Sequence, residues 1–224
     1  PWTGPAPASL GWGAVSGVGS AVGILALYRG LAIGEMTVVA TLAGVLTALI
    51  PAAVGLALGD RPGTLALVGI VVAIPAVAMV SWQGGRAHRR PRGIPEAVVA
   101  GASFALLFIS LDRAGTSSGT WPLVAGQLVA VVTIATVAAR LGGRLRNWRK
   151  VAPLAISAGA LGGVGNILFL EATGVSQLAI VAVISSLYPA VTVVLARFGL
   201  GERWSGMQKL GLAVAAMAVV LIGV

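Results

Sequence analysis

Long uncharged apolar runs follow one another along this chain, separated by short charged clusters. Each run is roughly 18–25 residues long, the length a helix needs to cross a bilayer. Backbone N–H and C=O groups in lipid must be bonded internally, so such runs form helices or the strands of a closed barrel. Barrel strands alternate apolar and polar residues over about ten positions. These runs are apolar throughout and show no polar face, which excludes both a barrel and amphipathic soluble helices. Only 9% of the 224 residues are charged, against about 25% in a soluble domain. The sequence therefore predicts an all-α, polytopic membrane helical bundle. Its eight spans fall at 10–28, 37–58, 63–82, 94–111, 119–141, 151–170, 177–200 and 205–224.

Alternation of spans sorts the charges. Thirteen of the 15 basic residues fall on one side: Arg29, Arg86, Arg89, Arg90, Arg92, Arg140, Arg144, Arg146, Arg149, Lys150, Arg197, Arg203 and Lys209. Arg61 and Arg113 fall on the other. The excess of positive charge in short loops marks the cytoplasmic side. This places loops 83–93 and 140–150 in the cytoplasm of a cell-membrane protein, and the C-terminus outside. The net charge of +9 is then a topology signal and not a nucleic-acid footprint. Trp82, Trp121, Trp148 and Trp204 fall near span ends, where interfacial tryptophans belong.

The chain also repeats itself. A shift of 142 residues aligns Gly17 with Gly159, Val22-Gly23 with Val164-Gly165, and Val39-Ala40 with Val181-Ala182. It also aligns Leu58-Gly59-Asp60-Arg61 with Leu200-Gly201-Glu202-Arg203, and Gly69 with Gly211. No gap is needed. The second copy, 94–224, has two spans ahead of its glycine-rich span; the first, 1–82, has none, and 83–93 is a basic linker. Equal copies imply a ten-span protein of two five-span halves, with two spans preceding residue 1. Five is odd, so the halves are inverted relative to each other, as in many secondary transporters.

Several of these residues carry a family resemblance. Ser186-Leu187-Tyr188-Pro189-Ala190 followed by Leu200-Gly201-Glu202-Arg203 resembles the end of an EamA domain of the drug/metabolite transporter superfamily. So does Gly165-Asn166-Ile167-Leu168-Phe169-Leu170-Glu171-Ala172 with Gly174-Val175-Ser176. The stretch from Leu27-Tyr28-Arg29-Gly30 to the first hinge is similar to the end of a first such domain. The resemblance implies two inverted repeats around a central cavity and transport of small metabolites or drugs, often by export. The first copy departs from it by having Thr47 where the second has Pro189, with its own Pro51 one turn later. Superfamily members also carry both termini in the cytoplasm, opposite to the charge sorting here.

Transport needs polar groups facing a cavity and helices that can slide. Asn166 and Gln127 are amides inside spans, and Ser185, Ser186 and Tyr188 precede Pro189. Polar groups in a membrane helix face the bundle interior, and Pro189 frees the carbonyl of Ser185. With Glu171 these are the candidate substrate-binding residues. The bland alternatives are interhelical bonds for Asn166 and Gln127, back-bonding to helix carbonyls for the serines, and a wet boundary position for Glu171. Asp60 and Glu202 are expected to cap the helices that follow them. Gly13, Gly17, Gly19 and Gly23, with Gly159 and Gly163, have the spacing for close helix packing.

No nucleophile–base set, metal-ligand spacing or phosphate loop is legible, so no enzyme activity, cofactor or metal is expected. His88 is alone in a basic loop, and no cysteine is present. The expected partners are a small-molecule substrate and the lipid bilayer, with no nucleic acid; a monomer and a homodimer are both compatible with the sequence. The alternative to a transporter is a non-transporting scaffold or assembly subunit. A polar central cavity lined by Asn166, Ser185 and Tyr188 would separate the two.

Overall fold

The computed structural model describes residues 5–81, 93–141, 148–200 and 204–223, without the side chains of 36, 37, 148–151, 192, 196, 197, 199 and 200. The second hinge (Gly201, Glu202, Arg203), His88, Trp82 and the arginines at 86, 89, 90, 92, 144 and 146 lie outside the described residues. The described chain forms α1 (Pro7–Ile33), α2 (Met36–Ala57), α3 (Thr64–Val80), α4 (Ile94–Ala114), α5 (Trp121–Arg140), α6 (Trp148–Val175), α7 (Leu178–Ser185), α8 (Tyr188–Leu200) and α9 (Gly206–Gly223). Among the described residues seven helical stretches are long and apolar enough to cross a membrane, counting Leu178–Leu195 as one; α3, with 17 residues, is shorter. The helical membrane bundle expected from the apolar runs is the observed fold.

Local chemistry sets the helix ends. Pro7, Pro95 and Pro122 sit in the first turns of α1, α4 and α5, where a missing N–H costs nothing. Glu96 lies in the first turn of α4 and Arg113 in its last, each matched to the helix dipole. At the start of α9 the Gln208 N–H donates to Ser205 Oγ at 3.2 Å and the Ser205 N–H to Gln208 Oε1 at 2.9 Å. This reciprocal pair is a capping box. Ser205-Gly206-Met207-Gln208 carried that signal in the sequence.

Two boundaries differ from expectation. α6 runs to Val175, five residues past the expected end, because nothing between Leu170 and Val175 stops a helix. The expected single span 177–200 is two helices broken at Ser186–Leu187. Pro189 cannot donate to Ser185 and instead stands in the first turn of α8. Pro51 loses the same bond inside α2, yet α2 stays one helix.

Helix α1 packs along α4 and α5, α2 packs on α4 and α7, and α3 packs on α9. One core cluster joins α2, α3, α7 and α9 around Ala73, Ala76, Val77, Ala179 and Val183. A second joins α4, α6 and α7 around Leu111, Phe169, Leu170 and Ala182. The α3–α9 contact is reciprocal at the 142-residue offset: a side chain at Gly69 would meet Ala218 and Ile222, and one at Gly211 would meet Met79 and Val80.

Cross-helix bonds group the helix ends into two sets. Arg29 pairs with Glu96 at 3.4 Å at one end. At the other, Ser9 Oγ donates to the Ala114 carbonyl, the Ala6 N–H to Ser118 Oγ, and the Ala179 N–H to Asp60 Oδ2. These are the pairings that alternating spans require.

Candidate functional site

A large groove lies beneath the break between α7 and α8. Its volume is about 890 Å³, and α7, α8 and α9 line it with Ile184, Leu187, Val191, Leu195, Leu212 and Ala216. Ser185, Tyr188 and Trp204 are its residues with side-chain polar groups. The Trp204 Nε1–H donates to the Val193 carbonyl at 3.1 Å, which ties the segment before α9 to α8. Ser186 is fully buried and its Oγ donates to the Val183 carbonyl at 2.7 Å. It turns back on its own helix and does not line the groove.

Asn166 and Gln127 are brought together, but elsewhere. They meet Ser16 and Ser20 in a cleft between α1, α4, α5 and α6. The cleft holds about 10 Å³, which is at the limit for one water. Ser16 Oγ donates to the Gly13 carbonyl at 2.6 Å. Asn166 therefore does not share a cavity with Ser185 and Tyr188. Ser16 and Ser20 went unnoticed in the sequence, although their spacing puts them on one face near Gly13 and Gly17. Glu171 is exposed within α6 and is not its last residue. It lines none of these grooves.

The glycines divide sharply. A side chain at Gly13 or Gly17 would run into the backbone of Pro122 or Gly126 on α5, and one at Gly19 or Gly23 into Ser103, Leu107 or Phe104 on α4. A β-carbon at Gly159 or Gly163 of α6 would meet nothing within 4 Å, so no packing is seen at these two positions among the described residues. Helix α6 is held near its C-terminal end, where Phe169 stacks on Phe108 with ring centroids 4.4 Å apart.

Asp60 also departs from expectation. The helix that follows it, α3, has Gly63 at its N-cap and no side-chain cap. The Asp60 carboxylate instead accepts the N–H of Ala179, 2.9 Å away at the start of α7. The corresponding reading of Glu202 lies outside the described residues.

Among the described residues no group of three acids or histidines could hold a metal ion. What the fold and its grooves define is a multi-pass membrane protein with a broken helix over an apolar groove. A sequence profile of the EamA-like transporter family matches residues 91–224. That is more than half of the chain, and the protein belongs to this family. A crystal structure of a protein is similar with a TM-score of 0.70 and 15% identity, covering 99% of this chain and 90% of the other; the likeness is one of fold. No curated protein matches.

Proposed function

We propose that this chain belongs to a secondary transporter, an exporter of small organic metabolites or drugs, working by alternating access between two inverted halves. Family membership supports the class. The observation that carries the mechanism is the break at Ser186–Leu187 above the groove of about 890 Å³. Broken membrane helices are where transporters place their substrate sites, and the volume suits a drug-sized molecule. The apolar lining selects a largely apolar solute that meets Ser185 and Tyr188 through one or two hydrogen bonds. Asn166 and Gln127 act between helices and not on the solute. Transport moves the solute unchanged, so the protein is not an enzyme.

The inverted halves are supported by the reciprocal α3–α9 contact. Applied to α4, the same 142-residue offset has a consequence. Helix α4 packs against Gly23 of α1, and its Gly101 lies on Ala43 and Leu46 of α2. The equivalents are Gly165, Ser185 and Tyr188. Gly165 and Ser185 line an open groove of about 330 Å³ between α6 and α7. In this reading a helix pair like α4–α5, preceding α1 in the full polypeptide, fills that groove and covers the glycines of α6. Ser185 and Tyr188 then stand at the boundary between that pair and the α7–α9 groove, whose remaining space is left for the solute. The loops at 83–93 and 140–150 are cytoplasmic, and the Asp60 end of the bundle is external.

The test is counterflow of labelled amino acids, sugars and apolar cationic drugs by the full polypeptide in liposomes. Exchange above that of empty liposomes is expected. Ser185→Ala and Tyr188→Phe should each raise KM about three- to tenfold, the worth of one hydrogen bond. Exchange no faster than in empty liposomes across the panel would contradict the transporter reading and favour a scaffold.

A further inference from the structure

We propose that Asp60 is a positioning residue that clasps α7 at the external end of the bundle, and that release of this clasp lets α7 pivot over the solute groove. Its part in transport rests on the reading above; the clasp itself does not.

Three features of the chain converge to build it. The first is the turn that ends α2. The Asp60 N–H donates to the Gly55 carbonyl at 2.9 Å and the Gly59 N–H to the Leu56 carbonyl at 3.3 Å. Gly59 has φ +109°. This is the Schellman arrangement, which needs a left-handed residue such as glycine at its centre. It turns the chain sharply at the end of α2 and places Asp60 directly after the turn.

The second feature is Gly55. A β-carbon there would overlap Asp60 Oδ2 and come within 3.0 Å of the Ala179 nitrogen. Only a bare backbone leaves space for the carboxylate to reach α7.

The third is the donor. Ala179 is fully buried, and its N–H lies in the first turn of α7, where the helix dipole is positive. A carboxylate there makes a charge-assisted bond. The two partners lie 119 residues apart in the chain.

Helix α7 is suited to pivot. It has only 8 residues, with a non-helical joint before Leu178 and another at Ser186–Leu187. Its distal end carries Ser185 into the groove. The Oε1 of Gln177, at the proximal joint, is buried without a hydrogen-bond partner among the described residues. A buried unpaired acceptor beside the clasp lowers the cost of opening this end to water, because hydration satisfies it.

The absence of cysteine makes a clean test. A single Leu178→Cys, at a site only 4% exposed, is placed in the full polypeptide and labelled with a permeant maleimide in membranes. Asp60→Ala should speed labelling about ten- to a hundredfold, the worth of a hydrogen bond to a charged group. Gly55→Ala, which keeps the carboxylate but takes its place, should match it. Asp60→Asn retains an acceptor oxygen and should stay within about threefold of the parent, a loss within the range of a neutral hydrogen bond. A Val80→Cys probe at the opposite end of the bundle should label equally slowly in all four backgrounds. The proposal is overturned if Asp60→Ala labels at the parental rate, if Asp60→Asn is as fast as Asp60→Ala, or if Val80→Cys accelerates alongside Leu178→Cys. Labelling needs no substrate. Correct labelling with no counterflow would keep the clasp and remove the transporter; counterflow with unaltered labelling would do the reverse.

Discussion

Helices α1 and α6 are aligned in sequence and opposite in circumstance. Both are glycine-rich, and Gly17 and Gly23 fall on Gly159 and Gly165 at the 142-residue offset. In α1 these glycines bring backbone against backbone with α5 and an aromatic ring of α4. In α6 a β-carbon at the same positions would meet nothing within 4 Å among the described residues. One third of the membrane-length window of α1 is buried, against 11% of that of α6. Membrane helices associate through close packing of small residues, since lipid is as apolar as they are. A glycine face therefore states what a helix can receive. Whether it is occupied depends on a second element, and α4 and α5 provide it for α1 alone.

The largest expected effect of a point change is at the occupied face. Gly17→Ala places a β-carbon on the Gly126 backbone, which cannot yield as a side chain can. A loss of about 3 kcal/mol is expected, at the upper end of overpacking costs, measured by thermal unfolding in detergent. Phe169→Ala should follow at about 3 kcal/mol, the lower end for a buried phenylalanine. It empties a nearly buried position and removes the stack on Phe108 that holds α6 to α4. A loss near zero would mean that α6 is anchored elsewhere.

The serines sharpen the same contrast at lower cost. Ser9 Oγ reaches from α1 to the Ala114 carbonyl across a buried contact. Ser157 Oγ turns back to the Leu154 carbonyl of its own exposed helix. Ser9→Ala should cost about 1 kcal/mol, a typical buried hydrogen bond, and Ser157→Ala should be indistinguishable from the parent in the same unfolding assay. Equal effects would break the contrast.

Much of this fold was legible in the sequence, because the strongest constraint on it is one-dimensional. Run length and the lack of a polar face specify membrane helices without reference to partners. The glycine spacing of α1 pointed to a contact face; the internal offset aligned Gly69 with Gly211 but did not say that α3 and α9 meet. What the sequence did not show depends on which helices meet. Asn166, Ser185 and Tyr188 were grouped as polar residues within spans, but α6 carries Asn166 into one space and α7 and α8 carry Ser185 and Tyr188 into another. Asp60 was expected to cap its own helix because dipole arguments are local. The Schellman turn and Gly55 send its carboxylate 119 residues along the chain. The break at Ser186–Leu187 was signalled by Pro189, yet Pro51 leaves α2 unbroken, so the proline alone did not distinguish the two helices.

The central claim is that the open face of α6 is the counterpart of the packed face of α1. It is tested most directly by Gly159→Ala in the full polypeptide, in lipid, compared with Gly17→Ala. If a helix pair covers α6 as α4 and α5 cover α1, Gly159→Ala lowers stability by about 2–3 kcal/mol, like its counterpart. If α6 stays as open as it stands beside the described helices, the added methyl meets no neighbour, and stability is unchanged or rises by up to about 1 kcal/mol from helix propensity. That second result would contradict the account.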